Sequence, residues 1–499
     1  MKKIFYILLV IPFFLMIYPT SSLAVEKASI NEEIIYNIFV DRFNNGKTGK
    51  KKVELNDPYA YHGGDLKGIT KKLDDIKQLG FTTISLSPIM ANAAKGYHGY
   101  WIEDYFRVEE ELGTMQDLQH LVSEAHKREM KVVVEFVPGF VAKTSPLVSE
   151  KAAWMDTSKQ FDTKKNPWLE NVVALDTGNP EVISYLQEVA DFWVEEANID
   201  GYSLYAADET SPQFLNAFTS HLKEKHPQFM ILASTITNQG DEKLREIEGI
   251  DLVDNKVLQQ ALFSSFAEEG KPVEEIIDSW ENNGKPYGLI AIDDPFSKRF
   301  THEFSEHRRN ILTAWKLALT YMYTTPGVPI IYQGSEIPMY GSGYPESQHL
   351  VELNSGDSDL KEFYTRISSL RTSFPALQYG DFEKVAQDKG MSVYKRTYEG
   401  ETIYIAINND PESRAVSIKG IGNGLQLRGL LGDNLAREDE QGEYKIGIPR
   451  ESSEVYIIEE NTGLNWVFIA PILVVMLLFV TAIVYLGRKE KQRNHNSEK

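Results

Sequence analysis

The chain has 499 residues, more than one typical domain, so one large domain with a smaller one is the natural expectation. It carries 52 Lys and Arg residues against 72 Asp and Glu residues, and this acidic balance argues against non-specific nucleic-acid binding. There is no cysteine, which excludes disulfides, thiolate metal sites and thiol nucleophiles together.

The N-terminus has the pattern of a secretory signal peptide. Lys2 and Lys3 precede an apolar run over residues 4–18, and small residues ending at Ala24 offer a cleavage point. We therefore predict a signal peptide over residues 1–24. The alternative is an uncleaved N-terminal anchor.

Short apolar runs then alternate with longer amphipathic segments. The runs predict buried parallel strands at residues 34–40, 82–86, 131–137, 229–232, 287–292 and 329–332, with weaker candidates at 201–205 and 250–253. Segments 115–129 and 180–197 have helical periodicity. Eight such units predict an α/β fold, a (β/α)8 TIM barrel over residues 25–378, whose site lies at the C-terminal strand ends. An open doubly wound sheet is the alternative.

The last quarter of the chain has a different pattern. Short alternating strands are predicted at residues 392–398, 402–407, 414–419 and 454–458. They indicate an antiparallel C-terminal β-sandwich domain over residues 379–460. A short domain inserted after the third barrel strand is expected over about residues 138–180.

A second apolar run, Trp466 to Leu486, contains no charged side chain and can cross a hydrocarbon core of about 30 Å. Trp466 and Tyr485 lie near its ends, as interfacial anchors do. Basic residues follow it at Arg488, Lys489, Lys491 and Arg493. By the positive-inside rule we predict a single-pass membrane protein with residues 487–499 in the cytoplasm and the large domains outside.

A series of motifs occurs in fixed order over residues 35–46, 63–69, 96–101, 112–114, 199–202, 326–336 and 374–377. They include Gly63-Gly64-Asp65 and Pro326-Gly327-Val328-Pro329. Their order and spacing resemble those of the α-amylase family (glycoside hydrolase family 13) from near residue 33 to near residue 458. The resemblance implies the TIM barrel and carbohydrate metabolism. The signal peptide, the lack of cysteine and the short basic tail are similar to those of Gram-positive bacterial surface proteins.

The resemblance also implies where the catalytic groups should stand, and the chain departs from the family there. The family nucleophile follows the fourth strand, two residues after an arginine; these positions are Tyr205 and Ser203. The acid/base position is Ser234 and the third carboxylate position is Phe296. Retaining cleavage needs a carboxylate nucleophile and a carboxylic acid about 5–5.5 Å apart. We therefore expect a non-hydrolytic pseudo-glycosidase.

The alternative is that catalytic carboxylates have moved. Glu135, Asp208, Glu209 and Asp294 are nearby in sequence to the family positions, although each is displaced in register or role. With one of them as nucleophile and another as acid, the chain would be an active surface α-amylase or α-glucosidase.

Structural calcium is not expected from the residues at the family's ligand positions. Gly139 has no side-chain oxygen, Phe140 cannot coordinate, and a later family aspartate falls at Ala174. In the first loop Lys47 places an ammonium where some members carry an oxygen ligand. Hard cations need several oxygen donors, so neither calcium nor another cofactor is predicted.

Four residues match family positions that line the sugar-binding cleft: His98, Tyr100, Trp101 and Arg299. Aromatic faces stack on sugars, but they also fill cores, so a purely structural role is the alternative. The partners that these observations favour are an α-glucan or a cell-wall glycan. A third hypothesis is that the chain is the partner subunit of a membrane protein.

Overall fold

The computed structural model describes residues 29–47, 53–237, 241–281, 288–461 and 466–497. The predicted signal peptide and residues 462–465 lie outside the described residues. The barrel strands are numbered β1 to β8 in chain order.

Eight parallel strands form a nearly closed barrel: β1 Ile35–Ile38, β2 Thr83–Leu86, β3 Lys131–Phe136, β4 Gly201–Leu204, β5 Met230–Ala233, β6 Leu252–Val253, β7 Leu289–Ile290 and β8 Val328–Tyr332. They follow one another around the sheet, and β8 returns to pair with β1. An isolated parallel bridge from Asp254 to Leu289 joins β6 to β7. The predicted TIM barrel is confirmed, and the open doubly wound sheet is wrong.

Six of the eight predicted barrel strands are shorter in the structure, and the first and the seventh differ most from their predicted lengths. The first ends at Ile38 because Val40–Arg42 is a 3-10 turn that bends the chain out of the barrel. The seventh comprises Leu289–Ile290 alone, and Tyr287 lies outside the described residues. Among the described residues, a single parallel bridge connects the short strands β6 and β7.

The helices cover the outside of the barrel: Leu66–Thr70, Leu73–Gln78, Met115–His126, Pro180–Ala197, Pro212–Lys225, Asp241–Arg245, Lys256–Ala267, Val273–Glu281, Phe300–Glu306, Ile311–Thr324, Ser358–Ser373 and Pro375–Tyr379. Met115–His126 begins at a capping box in which Thr114 and Asp117 bond each other's backbone N–H. It ends three residues earlier than predicted. Pro180–Ala197 has the predicted bounds, because Asn179 caps its start and Asn198 ends it in a left-handed conformation.

Between β3 and β4 a small hairpin projects over the C-terminal end of the barrel. Strands Phe140–Ala142 and Val172–Ala174 pair antiparallel, with helix Pro146–Glu150 between them. Phe140 lies directly opposite Ala174 in the register. Trp168 of the insertion packs against Tyr205, which directly follows β4, so the insertion lies against the C-terminal end of the barrel.

The C-terminal region is an antiparallel six-stranded sheet of Asp381–Asp388, Met391–Tyr398, Glu401–Asn408, Ser452–Glu460, Leu425–Gly429 and Leu435–Arg437, in spatial order. Arg414–Ile418 and Tyr444–Ile448 form a second, two-stranded sheet. This confirms the predicted antiparallel domain. Four of its strands were not predicted, among them the edge strand Asp381–Asp388, none of whose residues is buried.

The last described element is one helix, Trp466–Ser497. Its segment Ile469–Lys489 is apolar, is not covered by the rest of the protein, and spans about 31 Å at 1.5 Å per residue. Such a segment is long and apolar enough to cross a membrane.

Candidate active site

The three family catalytic positions converge on one cavity at the carboxyl ends of the barrel strands. Tyr205 directly follows β4, Ser234 directly follows β5, and Phe296 lies in the loop after β7. Together with Ser203 of β4, all of them line a cavity of about 320 Å³. The sequence-based placement of these positions therefore yields a spatially coherent site without a carboxylate at any of them.

Aromatic rings fill the mouth of this cavity. The Tyr100 and Tyr205 ring centroids are 4.5 Å apart, and Phe296 lies 5.6 Å from Tyr100. Trp168, from the insertion, lies 5.3 Å from Tyr100 and 5.6 Å from Tyr205. The Trp101 indole N–H holds this arrangement by donating to the Trp168 carbonyl at 2.7 Å. The aromatic rings of Tyr205 and Phe296, which stand at family carboxylate positions, are thus part of a packed cluster.

Of the four predicted sugar contacts, Tyr100 alone lines the cavity. His98 is buried behind it; its Nδ1 accepts from the Tyr100 backbone N–H at 3.0 Å, and its ring stacks on Tyr100. Burial lowers the pKa of His98 to about 3, so the imidazole is neutral. Trp101 is half-buried and packs edge-on against His98.

Arg299 is engaged inside the protein. Its Nε donates to the Ser347 carbonyl at 3.1 Å and its Nη2 to the Gln333 carbonyl at 2.9 Å. The guanidinium lies 4.0 Å from the centroid of the Tyr332 ring. A side chain with these contacts and 1% exposure orders the loops beneath the site and does not face the cavity.

Glu135 and Asp294 are the two fallback carboxylates that line the cavity. The Tyr100 hydroxyl donates to Glu135 at 3.2 Å, and burial raises the pKa of Glu135 to about 8, so this group is protonated at neutral pH. Asp294 accepts from the backbone N–H groups of Phe296 and Ser297 at 2.8 and 2.9 Å. It fixes the turn that presents Phe296.

The other two fallback residues are not in the cavity lining. Asp208 accepts from the backbone N–H groups of Ile236 and Thr237 and from the Thr237 hydroxyl, the last at 2.6 Å. Glu209 forms an ion pair with Lys159 at 3.3 Å. Both side chains therefore stabilise loops around the site.

Sequence analysis missed four charged residues of the cavity lining: Lys165, Asp293 and the neighbouring pair Asp254 and Lys256. Asp254 follows β6, and Lys256 Nζ lies 3.4 Å from its carboxylate. Burial raises the pKa of Asp254, although Lys256 opposes the shift. For Asp294 burial acts in the same direction, but Lys256 and hydrogen bonds outweigh it and hold the pKa below its usual value. The position after a barrel strand was the signal that could have found Asp254, Lys256 and Asp293, whereas Lys165 comes from the insertion.

The positions where the family places calcium ligands do not fit a hard cation here. Phe140 and Ala174 face each other in the hairpin, and Leu175 N–H donates to the Gly139 carbonyl at 2.9 Å. In the first loop the Lys47 ammonium donates to the Glu111 carbonyl at 3.1 Å. In the insertion the Gly139 carbonyl is bonded to a backbone N–H beside apolar side chains, and in the first loop the Glu111 carbonyl is bonded to an ammonium. Neither place offers a good set of calcium ligands.

Comparison with known proteins agrees with this architecture. Residues 37–171 and 148–375 match the α-amylase catalytic domain, and residues 380–456 match the α-amylase C-terminal domain. The crystal structure of an Anoxybacillus α-amylase is 38% identical, covers 87% of this chain and 99% of its own, and superimposes with a TM-score of 0.81. The α-amylase from Geobacillus thermoleovorans, solved with acarbose, is 37% identical over 87% of this chain and all of its own, with a TM-score of 0.80.

A cyclomaltodextrinase from Thermoanaerobacter pseudethanolicus is 27% identical over 418 residues, which is 77% of this chain and 71% of that protein. These matches cover both the barrel and the C-terminal sheet. Together with the barrel topology, they show that the chain shares its fold and its ancestry with these proteins. The chain belongs to the α-amylase family.

Proposed function

We propose that this chain is a non-hydrolytic, membrane-anchored member of the α-amylase family that binds carbohydrate through the former catalytic cleft. One observation carries the proposal: Tyr205, Ser234 and Phe296 stand around a single cavity where the family places its three carboxylates. None of them supplies the charge and the proton that retaining cleavage uses. An α-glucan, the substrate class that the family resemblance implies, or a cell-wall glycan is the proposed ligand.

The proposal predicts that the protein binds a maltodextrin without cleaving it. The full chain in lipid nanodiscs is incubated with maltoheptaose, beside the Geobacillus thermoleovorans α-amylase as a positive control. We expect the maltoheptaose to bind, measured by calorimetry, and to be recovered at full length by chromatography. Release of shorter maltodextrins at a rate close to that of the control would overturn the non-hydrolytic assignment. Absence of any binding would overturn the ligand assignment.

A second candidate function, hydrolysis by relocated carboxylates, is favoured by one feature. Glu135 is protonated and Asp294 ionised in the same cavity, and such a divergence of pKa values is what an acid and a nucleophile require. However, Asp294 is bound by backbone N–H groups and by the Ser297 hydroxyl at 2.8 Å, so its oxygens are occupied. If the unaltered chain hydrolyses maltoheptaose and the Glu135→Gln variant does not, hydrolysis by relocated carboxylates would be established.

The membrane anchor gives a prediction about topology. Segment Ile469–Lys489 is proposed to cross the bilayer once, with residues 25–465 outside and the basic end inside. Protease added to intact, wall-stripped cells should remove the large domains and leave a C-terminal tag protected. Cleavage of the tag in intact cells, or protection of the barrel, would contradict this orientation.

We also propose that the protein needs no structural calcium. Because Lys47, Gly139, Phe140 and Ala174 offer a poor ligand set, excess chelator should leave the melting temperature within about one degree. A ligand that binds the native state stabilises it by mass action, so a fall of several degrees on chelation, reversed by added calcium, would refute the proposal. The Geobacillus thermoleovorans enzyme treated identically serves as the comparison.

A further inference from the structure

A second, larger cavity lies outside the barrel wall, behind strand β1. Successive side chains of a strand point to opposite faces, so Asn37 lines the cavity inside the barrel whereas Tyr36 lines the outer one. The outer cavity has a volume of about 840 Å³ and lies between helices Leu73–Gln78 and Ser358–Ser373. Among the described residues the two cavities share no lining residue, so the outer cavity is separate from the candidate active site.

The walls of the outer cavity are largely apolar. Its aliphatic and aromatic lining consists of Phe43, Ile76, Leu79, Ile337 and Leu353, beside the ring of Tyr36. Leu79 and Leu353 are only partly buried, so part of their apolar surface remains in contact with water. Removal of such surface from water is favourable, and the volume is within the range of about 300–1,000 Å³ that is common for ligand sites. The walls therefore suit a ligand with an apolar body.

One acid of the lining is buried. Glu336 is only 4% exposed; its Oε1 accepts from the Tyr36 hydroxyl and its Oε2 from the Gly334 backbone N–H, both at 2.8 Å. In the described part of the chain no basic side chain forms an ion pair with Glu336. Burial raises the pKa of Glu336, although the two hydrogen bonds and the more distant Arg299 oppose the shift. A buried carboxylate without a cationic partner is unfavourable, and a bound cation would relieve that penalty.

The charged residues at the rim of the outer cavity do not compensate Glu336. Lys72 forms an ion pair with Asp75 at 2.8 Å, and Lys361 Nζ donates to the Ser355 carbonyl at 3.3 Å. The remaining two, Glu362 and Arg366, are exposed, opposite in charge and one helical turn apart. The rim is therefore close to neutral, whereas the one buried acid lies deeper, next to the apolar walls. The complementary ligand has an apolar body and a single positive charge.

We infer that the outer cavity binds a small amphipathic amine, a ligand with a short aliphatic body and one primary ammonium group. The ammonium donates to Glu336, whose carboxylate offers about four acceptor positions and uses two of them within the protein. The aliphatic body packs against Leu79 and Leu353. An alkyl ammonium, like the lysine side chain, stays protonated at neutral pH. The inference does not rest on the proposed carbohydrate-binding function, because the two cavities are separate.

The experiment measures binding of hexylamine, 1-hexanol and hexanoate to the full chain in nanodiscs, by calorimetry, with empty nanodiscs as the reference for partition into lipid. The three probes have chains of the same length and differ in the charge of the end group. We expect hexylamine to bind about tenfold or more tightly than 1-hexanol, the effect of one charge-assisted hydrogen bond. Hexanoate should bind least, because its carboxylate would face the carboxylate of Glu336.

Two variants test the site itself. Glu336→Gln removes the charge and should bring the affinities for hexylamine and 1-hexanol to similar values. Leu353→Trp keeps Glu336 but fills the cavity, and it should abolish hexylamine binding. Leu370→Trp is the matched control, because Leu370 is also a partly buried leucine but lines neither cavity. It should bind hexylamine as the unaltered chain does. The melting temperature of each variant shows whether its fold is retained.

Three outcomes would overturn the inference: no binding of hexylamine to the unaltered chain, binding no tighter than that of 1-hexanol, or unchanged binding in a folded Leu353→Trp variant. The last would show that the amine binds elsewhere on the protein. If Glu336→Gln fails to fold, the comparison of the probes and the Leu353→Trp variant still decide. Maltoheptaose binding, measured on the same samples, should be unaffected by Leu353→Trp, so failure of the proposed function is seen separately.

Discussion

Restoring the four family residues together, by Ser203→Arg, Tyr205→Asp, Ser234→Glu and Phe296→Asp, should raise maltoheptaose hydrolysis by about 10²-fold or more over the unaltered chain. The backbone already places all four positions around one cavity. Removal of the Tyr205 and Phe296 rings also widens its mouth. Initial rates of reducing-sugar release measure the gain.

Each of the four single substitutions should leave hydrolysis at the background of the unaltered chain. A nucleophile without an acid, or an acid without a nucleophile, completes no catalytic cycle, because such groups act as a unit. Unfolding by urea should be recorded for every variant, so that loss of fold is separated from lack of chemistry. A folded quadruple variant with no gain would show that these positions do not form the catalytic constellation.

The scaffold was predictable because its signals are local. The β-branched runs of β3 and β8 are long enough to be recognised, and helix Pro180–Ala197 has a cap at each end. The strand Asp381–Asp388 was missed because none of its residues is buried and its sequence has no apolar alternation. Strand β7 was predicted too long, since only two of its residues pair with β8.

The site was predictable only in part, since it depends on contacts between distant segments. The family motifs indicated Tyr205 and Phe296, but nothing local indicates that Trp168 of the insertion packs against Tyr205. Arg299 matched a family position, yet its role depends on the carbonyls of Gln333 and Ser347, which approach it only in the folded barrel. Burial of a side chain, and therefore its pKa, is likewise a property of the tertiary structure.

Glu135 gives the second large effect, on the pH dependence of stability. Burial raises its pKa from the ordinary 4.5 to about 8 in the folded protein. Between these values the folded state holds a proton that the unfolded state has lost. The stabilising contribution is therefore complete below about pH 4.5 and is lost as the pH rises towards 8. The slope is about 1.4 kcal/mol per pH unit, or about 4–5 kcal/mol over the window.

Glu135→Gln should abolish this pH-dependent contribution to the free energy of unfolding, because glutamine stays neutral. Its carbonyl can still accept from the Tyr100 hydroxyl. Relative to the unaltered chain, the variant should therefore gain several kcal/mol of unfolding free energy between pH 5 and pH 8. Urea unfolding at both pH values measures the difference, in which all other titrating groups cancel. Glu362→Gln, which removes an exposed carboxylate on helix Ser358–Ser373, is the control and should show no such change.

An equal stability difference at pH 5 and pH 8 would show that the Glu135 carboxyl is not held protonated by burial. The same variant also separates the two functional hypotheses. In a non-hydrolytic protein Glu135→Gln alters stability alone, whereas in an enzyme with a relocated acid it also removes turnover. Glu135 lines the cavity, but the oxygens of Asp294, its candidate partner, are bound by the backbone N–H groups of Phe296 and Ser297 and by the Ser297 hydroxyl. No free carboxylate nucleophile accompanies the acid, and for this reason we expect the effect on stability alone.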